Sequence, residues 1–426
     1  MERKKKVYFH IGTHKTGTTA LQSFFVKNRN VLSQNGIQYE NYHEVELNQG
    51  FLINQEAWKS VHFDPLKNHL ISSEDFYHRI IQLSDTVKQS LSDFDIHFII
   101  YLKRQDLMKE SVYNQIVKMA GFCGEIQEDN HYNLDYYNFL ISLKEKYPAA
   151  AVTVRPYEKE QFNAGTIFSD FLDILGLKLT DEYQVEKGVV NPSLARDKLE
   201  FARLINMLNF PLNIRQNINR QVVRAAVDSN EVSMFRTQNV ISPSDATNLL
   251  AKYDEGNKRI AKEFLGRDDG RLFYLGVDSD LNWKPYPGLT KEVLREILLK
   301  IREINNNFLE DLYSYIESSQ ERNKLFCKSA NFLMPLLKEL SSSQKEFTPY
   351  KIDSLSTMNY FKEIENKLSE NSESADILRE VAFAFEKIAD IETAHKVMQK
   401  ALALRPEGPV IKQKLDEYIA KLAVKE

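Results

Sequence analysis

Eight residues near the N-terminus, Gly12–Thr19 (GTHKTGTT), hold one lysine, one histidine, two glycines and four threonines. A β-rich stretch, Val7–Gly12 (VYFHIG), leads into them, and Ala20–Leu32 follows with helical spacing of Leu21, Phe24, Phe25, Val31 and Leu32. Backbone amides of a loop between a strand and a helix, with the helix N-terminus behind them, make a cradle for an anion. Gly12 and Gly17 permit backbone angles that a side chain opposes, and Thr18 and Thr19 set hydroxyls at the helix start. The triphosphate-binding loop G-x-x-x-x-G-K-[ST] carries its lysine directly after the second glycine. Here Thr18 occupies that position, and Lys15 comes two residues before Gly17. The cation is displaced from the place of a β/γ-phosphate to one beside a phosphate that departs as a leaving group.

A second set of groups lies beyond the nearly continuous apolar run Ile96–Leu102 (IHFIIYL). Lys103 and Arg104 follow it, and Ser111 comes eight residues after Lys103. A cation at a strand end and a hydroxyl on the next helix converge on one phosphate. Either Lys103 or Arg104 fills that place; an arginine brings a bidentate fork and a lysine only its charge. The proton of an acceptor is taken by a histidine or a carboxylate. Glu74, in LISSEDF past the strand His69–Ser72, is the leading candidate, because strand ends of a parallel sheet open on one ligand side. The competing reading of Glu74 is a carboxylate interacting with a helix dipole. His14 reads equally as a ligand contact or a catalytic group, and His10 as a packed strand residue. Arg155 and Glu158, at another strand end, read as acceptor contacts or as a local ion pair. Tyr132, Tyr136 and Tyr137 read as a pocket wall or, at helical spacing, as core.

The elements that must position these groups alternate. Strands are expected at Val7–Gly12, His69–Ser72, Ile96–Leu102 and Ala151–Arg155, the last ended by Pro156. A helix is expected from about Asp106 as N-cap, with Met108, Val112, Ile116 and Met119 along one face. Apolar strands alternating with helices indicate a three-layer α/β domain on a parallel sheet, here over residues 1–275. Helical patterns dominate from Asn191 onward. Residues 276–370 read as a helical linker region, in which Lys291–Glu317 is a surface helix or helix pair. Over 371–426, Leu378, Ala382, Phe385, Ala394, Met398, Ala401 and Pro406 fall at the offsets of one tetratricopeptide-like helical hairpin, with Val410–Ala423 as a capping helix. One such repeat cannot bury its apolar face alone, so either cryptic repeats precede it or it docks on the rest of the chain, and a protein partner is a further candidate for these helices.

The chain has 426 residues, 56 basic and 60 acidic, for a net charge of −4. That balance offers no global field for nucleic acid, so an anion must be held locally. Cys123 and Cys327 are its two cysteines, too far apart for a metal-ligand motif; no metal is called for, and a reducing compartment is indicated. The basic run at residues 3–6 is followed by too short an apolar stretch for a signal, and no run is long enough to span a bilayer. A cytoplasmic protein is the expectation.

The string FHIGTHKTGTTALQ resembles the 5′-phosphosulfate-binding motif of sulfotransferases that use 3′-phosphoadenosine 5′-phosphosulfate (PAPS), in particular their bacterial branch. YLKRQDLMKESVYNQ is similar to the family's 3′-phosphate motif, with the departure that Lys103 stands where the family usually has arginine. Val152–Phe162 (VTVRPYEKEQF), Val190–Leu194 (VNPSL) and Asn257–Phe273 (NKRIAKEFLGRDDGRLF) are also similar to segments of that branch. The resemblance covers about the first 275 residues. It implies a P-loop fold in which Lys15, Thr16, Gly17, Thr18 and Thr19 hold the 5′-phosphate, and in which Lys103 or Arg104, with Ser111, holds the 3′-phosphate. Lys15 then assists the leaving oxygen, and Glu74 or His14 serves as base. A sulfuryl group carries less charge than a phosphoryl group, so one lysine and several amides suffice without a metal. The acceptor implied is a hydroxyl, or an amine, of a carbohydrate or glycolipid. Two other readings remain open, a nucleoside or nucleotide kinase on the same loop and an inactive scaffold acting through its helical tail.

Overall fold

A computed structural model describes residues 4–39, 50–59, 61–128, 132–185, 194–211, 214–215, 217–218, 220–222, 240–277, 283–305, 307–320, 322–342, 374–387 and 391–423. The similar segment Val190–Leu194 lies outside these residues except for Leu194. Two compact units are present, one formed by residues 1–308 and 318–336, the other by 309–317 and 337–426.

The first unit is built on a five-stranded sheet in the order β2-β3-β1-β4-β5, every neighbouring pair parallel. The strands are β1 (Lys6–His10), β2 (Ile37–Gln38), β3 (Asn68–Ser72), β4 (Asp95–Leu102) and β5 (Ala151–Pro156). Four of them match the sequence expectation; β2, two residues long, is too short for any periodicity to register. Side chains alternate across each strand. Phe98, Ile100 and Leu102 join Val7, Phe9 and Ile71 in the core on one face. Ile99 and Tyr101 join Tyr8 and Leu70 on the other, under Leu21, Phe24 and Phe25 of helix α1 (Thr18–Lys27). Both faces are thus covered, which is why β4 reads as an unbroken apolar run.

The helices past β4 and β1 depart from the expectation in places that matter. Helix α2 (Gln105–Gln115) begins with Arg104 in the N-cap position, and no side chain caps it. Asp106 is therefore a first-turn residue, and its carboxylate accepts from Arg104 instead of capping. Directly after α2 the chain widens into a π-helical turn over Ile116–Ala120. The change of pitch breaks the expected apolar face. Met119 is 49% exposed, whereas Lys118 is 3% exposed beside fully buried Val117. The helix expected over Ala20–Leu32 also breaks at Asn28, between α1 and a short helix Arg29–Gln34. The Asn28 amide donates to the Phe24 carbonyl and pairs with the backbone of Gln184, a competition with helical bonding typical of this residue.

Further helices of this unit are α3 (Tyr136–Lys146), α4 (Ile167–Ile174), α5 (Arg196–Met207), α6 (Asp254–Leu265) and α7 (Lys291–Ile304). The long charged stretch Lys291–Glu317 is a helix pair, α7 and then Phe308–Ser318. In the second unit, α8 (Ser374–Lys387) and α9 (Ile391–Leu404) form a hairpin on which α10 (Pro409–Ala423) packs. Ala382, Ala394, Met398 and Ala401 are fully buried with Tyr418, the small residues letting the helices approach. Arg405 reaches back to Asp376 at 2.9 Å, and Glu386 receives Lys414, Lys421 and Tyr418. Among the described residues no helix is long and apolar enough to cross a membrane.

Gly12 has φ +93°, and a Cβ there would sit 3.2 Å from the Glu74 Cα. Gly12→Ala is expected to lower stability by about 1–2 kcal/mol through the left-handed backbone alone, with the displaced Glu74 adding to it. Urea unfolding monitored by tryptophan fluorescence checks it, since Trp58 packs on Phe9 of β1.

Candidate functional site

The loop after β1 is pinned to its neighbours by backbone hydrogen bonds that outrun the strand. The amides of Ile11 and Thr13 donate to the carbonyls of Ile99 and Tyr101, and the Tyr101 amide donates to the Gly12 carbonyl. On the other side the Ser73 amide donates to the His10 carbonyl. The carboxyl ends of β3, β1 and β4 therefore stand side by side. Such a point, where a parallel sheet is built outward in both directions from one strand, is the ligand side of open α/β sheets.

Lys15 sits in this loop with φ 62°, half-buried, two residues before Gly17, which enters α1 at φ 74°. A Cβ on Gly17 would come within 3.0 Å of Ile167 and 3.2 Å of the Tyr157 hydroxyl, so the tight entry requires glycine. The Thr16 hydroxyl donates to the Thr13 carbonyl at 2.6 Å, and the Thr13 hydroxyl donates to the Tyr101 carbonyl. Thr16 thus spends its one side-chain proton on the loop and has its backbone amide left to offer. Thr18 is buried and Thr19 exposed at the first turn of α1.

Glu74 lies two residues past β3, its backbone against Gly12, and its carboxylate accepts from Gln22 of α1 at 3.3 Å. Burial lowers the Lys15 pKa, and the Glu74 carboxylate pulls it partly back. The two side chains thus act on one another across the loop. His14 faces elsewhere. Its backbone amide donates to the Tyr132 hydroxyl, its Nε2 is 3.7 Å from Asp75, and its ring meets His78 and Tyr132. His14 Nδ1 is buried without a hydrogen-bond partner. His10 is a packed residue as expected, donating to or accepting from Ser72 at 2.8 Å, its pKa pushed down to about 3 by burial.

At the end of β4 two neighbours in sequence part company, as successive residues of an extended chain do. Lys103 Nζ donates to Ser111 Oγ at 2.7 Å, and that hydroxyl donates onward to the Leu107 carbonyl. Arg104 turns the other way. Its Nε and Nη2 make a bidentate pair with Asp106, and its Nη1 reaches the carbonyls of Leu275 and Gly276. Four of the five guanidinium N–H groups are committed there, so the strand-end cation that meets Ser111 is Lys103. Burial and the charge of Lys15 depress Lys103 to about 8, against the opposing pull of Glu110 and Asp106. Glu110 is itself pushed up to about 7, mainly by burial, and accepts from the Ile241 amide.

The remaining candidates have partners within the protein. Glu158 accepts from the amides of Tyr274 and Leu275, so that it and Arg104 clamp the segment 274–276 from the ends of β5 and β4. Arg155 lies 3.5 Å from Asp170, the ion-pair reading. Tyr136 is core and donates to the Lys103 carbonyl; Tyr137 donates to Glu263 under Arg259; Tyr132 stacks on Tyr77 and holds the loop at His14. A further buried cation is Lys118. It is buried at the π-turn, its pKa lowered to about 8 by burial and by the charge of Lys15. The signal available was a lysine one position from an expected apolar face, which an unbroken helix assigns to solvent.

Lys15 and Lys103, whose ammonium charges repel, stand with the loop and the Ser111 hydroxyl as a donor set suited to an anion. A bound anion favours the charged form of Lys103, so binding takes up a proton wherever that amine is neutral. Anion affinity is therefore full below about pH 8 and falls as the pH rises through that value, a trend that titration calorimetry from pH 7 to about 9.5 detects. The buried charge costs the free protein stability at neutral pH, and that cost shrinks as the pH rises from about 8 towards the ordinary 10.5, because the folded amine loses its proton before the unfolded one. Lys103→Met should accordingly leave the free protein as stable or more so at pH 7, while flattening the pH dependence of anion binding.

No family model matches the chain, and no solved structure matches it. An uncharacterized protein of Archaeoglobus fulgidus is 25% identical to it over 289 residues, 67% of this chain and 74% of the relative.

Proposed function

We propose that this protein is a sulfotransferase that moves the sulfuryl group of PAPS to a hydroxyl, or an amine, of a carbohydrate or glycolipid acceptor. The observation that carries this reading is the placing of Lys15, in its glycine-bounded loop, between Glu74 from the end of β3 and the Lys103–Ser111 pair from the end of β4. One strand end supplies a cradle for one phosphate, the next strand end a cation and hydroxyl for a second, and the third a carboxylate. A nucleotide with phosphate at both its 3′ and 5′ positions uses all of this; a monophosphate leaves half of it idle.

In the proposed reaction the amides at Gly17–Thr19 and the Lys15 ammonium hold the 5′-phosphate. Lys103 and Ser111 hold the 3′-phosphate, fixing the length of nucleotide that fits. Glu74 takes the proton of the acceptor hydroxyl as the acceptor oxygen bonds to sulfur and the bond from sulfur to the phosphate oxygen breaks. Negative charge grows on that phosphate oxygen as it leaves, and Lys15 is the cation beside it. A preplaced cation is worth more there than in water, because the half-buried loop solvates it poorly. The departure from the family pattern at Lys103 costs the bidentate fork but keeps the charge. A cytoplasmic setting, with a donor nucleotide supplied in solution, belongs to the same proposal.

Thermal unfolding with 3′-phosphoadenosine 5′-phosphate, against ATP with magnesium, tests the reading. The bisphosphate at about 100 times its Kd should stabilise the protein by about 2.7 kcal/mol, with Lys15→Ala losing most of the shift. Stabilisation by ATP with magnesium instead supports a kinase, and by neither a scaffold. Glu74→Gln keeps the shape of the side chain and removes its basicity. It is expected to bind the bisphosphate as the wild type does, yet to transfer label from ³⁵S-PAPS to a panel of sugar acceptors at least about a hundredfold more slowly.

A further inference from the structure

We propose that Arg104 is a positioning residue of the anion site. By holding the buried Asp106 carboxylate and the carbonyls of Leu275 and Gly276, it leaves Lys103 open to a 3′-phosphate, and so sets a preference for a bisphosphorylated nucleotide over a monophosphate. The inference rests on the proposed function and gives a task to the arginine left out of it. Its basis is the division of charge at one strand end. Two cations, Lys103 and Arg104, follow β4, and a buried carboxylate, Asp106, stands two residues further on. Arg104 takes both oxygens of that carboxylate, with Nε at 2.7 Å from one and Nη2 at 2.8 Å from the other. Lys103 is left with a neutral partner, the Ser111 hydroxyl at 2.7 Å. An ammonium bonded to a hydroxyl keeps its charge uncompensated, the state in which it binds a phosphate oxygen most strongly.

The rest of the guanidinium is fixed from outside the helix. Nη1 donates to the Leu275 carbonyl at 2.8 Å and to the Gly276 carbonyl. Glu158, beyond the end of β5, accepts from the amides of Tyr274 and Leu275 at 2.8 and 3.2 Å. Tyr274 and Leu275 are 44% and 51% exposed, so their own side chains bury too little to hold this segment, and the polar contacts set its place. The chain around Arg104 is pinned as well. The Leu102 carbonyl accepts from the Tyr157 amide, the Lys103 carbonyl from the Tyr136 hydroxyl, and the Gln105 side chain pairs with Asn257. Held in this way, the guanidinium does not reach Ser111, and Lys103 meets it instead. Without the guanidinium, Asp106 is a buried carboxylate stripped of its counter-ion, the costly way to break such a pair. Lys103, whose charged form Asp106 already favours, is then the cation it draws, and the phosphate loses its ligand.

The test is a double-mutant cycle of Arg104→Gln and Asp106→Asn in the full chain, read by calorimetry. The probes are 3′-phosphoadenosine 5′-phosphate and adenosine 5′-monophosphate, which differ only in the 3′-phosphate. Arg104→Gln should weaken the bisphosphate at least about tenfold and the monophosphate less than about twofold. Adding Asp106→Asn should restore most of the loss, because no carboxylate is left to capture Lys103. Asp106→Asn alone should keep or strengthen bisphosphate binding, and it decides the matter if Arg104→Gln does not fold. A clasp that only staples the fold predicts another pattern: both probes weaken together, and the second substitution deepens the loss. That pattern, or an unchanged ratio of the two affinities in Arg104→Gln, overturns the inference while the function stands. NMR of ¹³C-labelled lysine follows Lys103 in the same proteins without ligand. Its titration should move up in Arg104→Gln and return in the double variant. If the wild type does not prefer the bisphosphate, the sulfotransferase reading falls. The part of Arg104 in freeing Lys103 then stands if the titration moves in this way, and falls if Lys103 titrates alike in every variant.

Discussion

The parallel pairing of β1 with β3 and β4 is the constraint on which everything at the site depends. Backbone hydrogen bonds continue past the last residue of β1 and tie the loop to Tyr101 on one side, while Ser73 is tied to His10 on the other. Those bonds fix three carboxyl strand ends at adjacent sheet spacings of about 4.8 Å. Every functional candidate is then a short walk from a strand end: Lys15 from β1, Glu74 from β3, Lys103 from β4. The alternating apolar side chains that bury both sheet faces hold this arrangement against the repulsion of its lysines.

Those lysines are poor choices for stability. Burial depresses Lys15, Lys103 and Lys118 alike, and Lys15 adds repulsion to the other two. A protein under pressure only to fold would place apolar side chains there. On the proposed reading, the ligand's phosphates supply the counter-charge to this concentration of like charge. Arg104 is neutralised by a bidentate carboxylate, and Arg203 by Glu200 and Glu125, as buried cations with structural work to do are.

Much of this was legible in the sequence, for physical reasons that differ from residue to residue. Four strands announced themselves by apolar runs long enough to count, and Lys15 by its place between two glycines after one of those runs. Glu74 followed from the rule that parallel strands end on one side. Which of Lys103 and Arg104 meets Ser111 was not legible, because Arg104 is drawn away not only by nearby Asp106 but by the carbonyls of Leu275 and Gly276, some 170 residues away in the chain. The two readings of Glu158, acceptor contact or local ion pair, did not include its observed partners, the amides of that same segment. Lys118 was hidden by a change of helical pitch that no periodicity assuming 3.6 residues per turn can register.

The most direct test of the account is a crystal structure with 3′-phosphoadenosine 5′-phosphate. The 5′-phosphate is expected within hydrogen-bonding distance of the Lys15 ammonium and the amides of Gly17–Thr19, and the 3′-phosphate on Lys103 and Ser111. A bisphosphate bound with its phosphates away from Lys15 and Lys103, or a nucleotide that fails to bind at concentrations far above cellular ones, would contradict it.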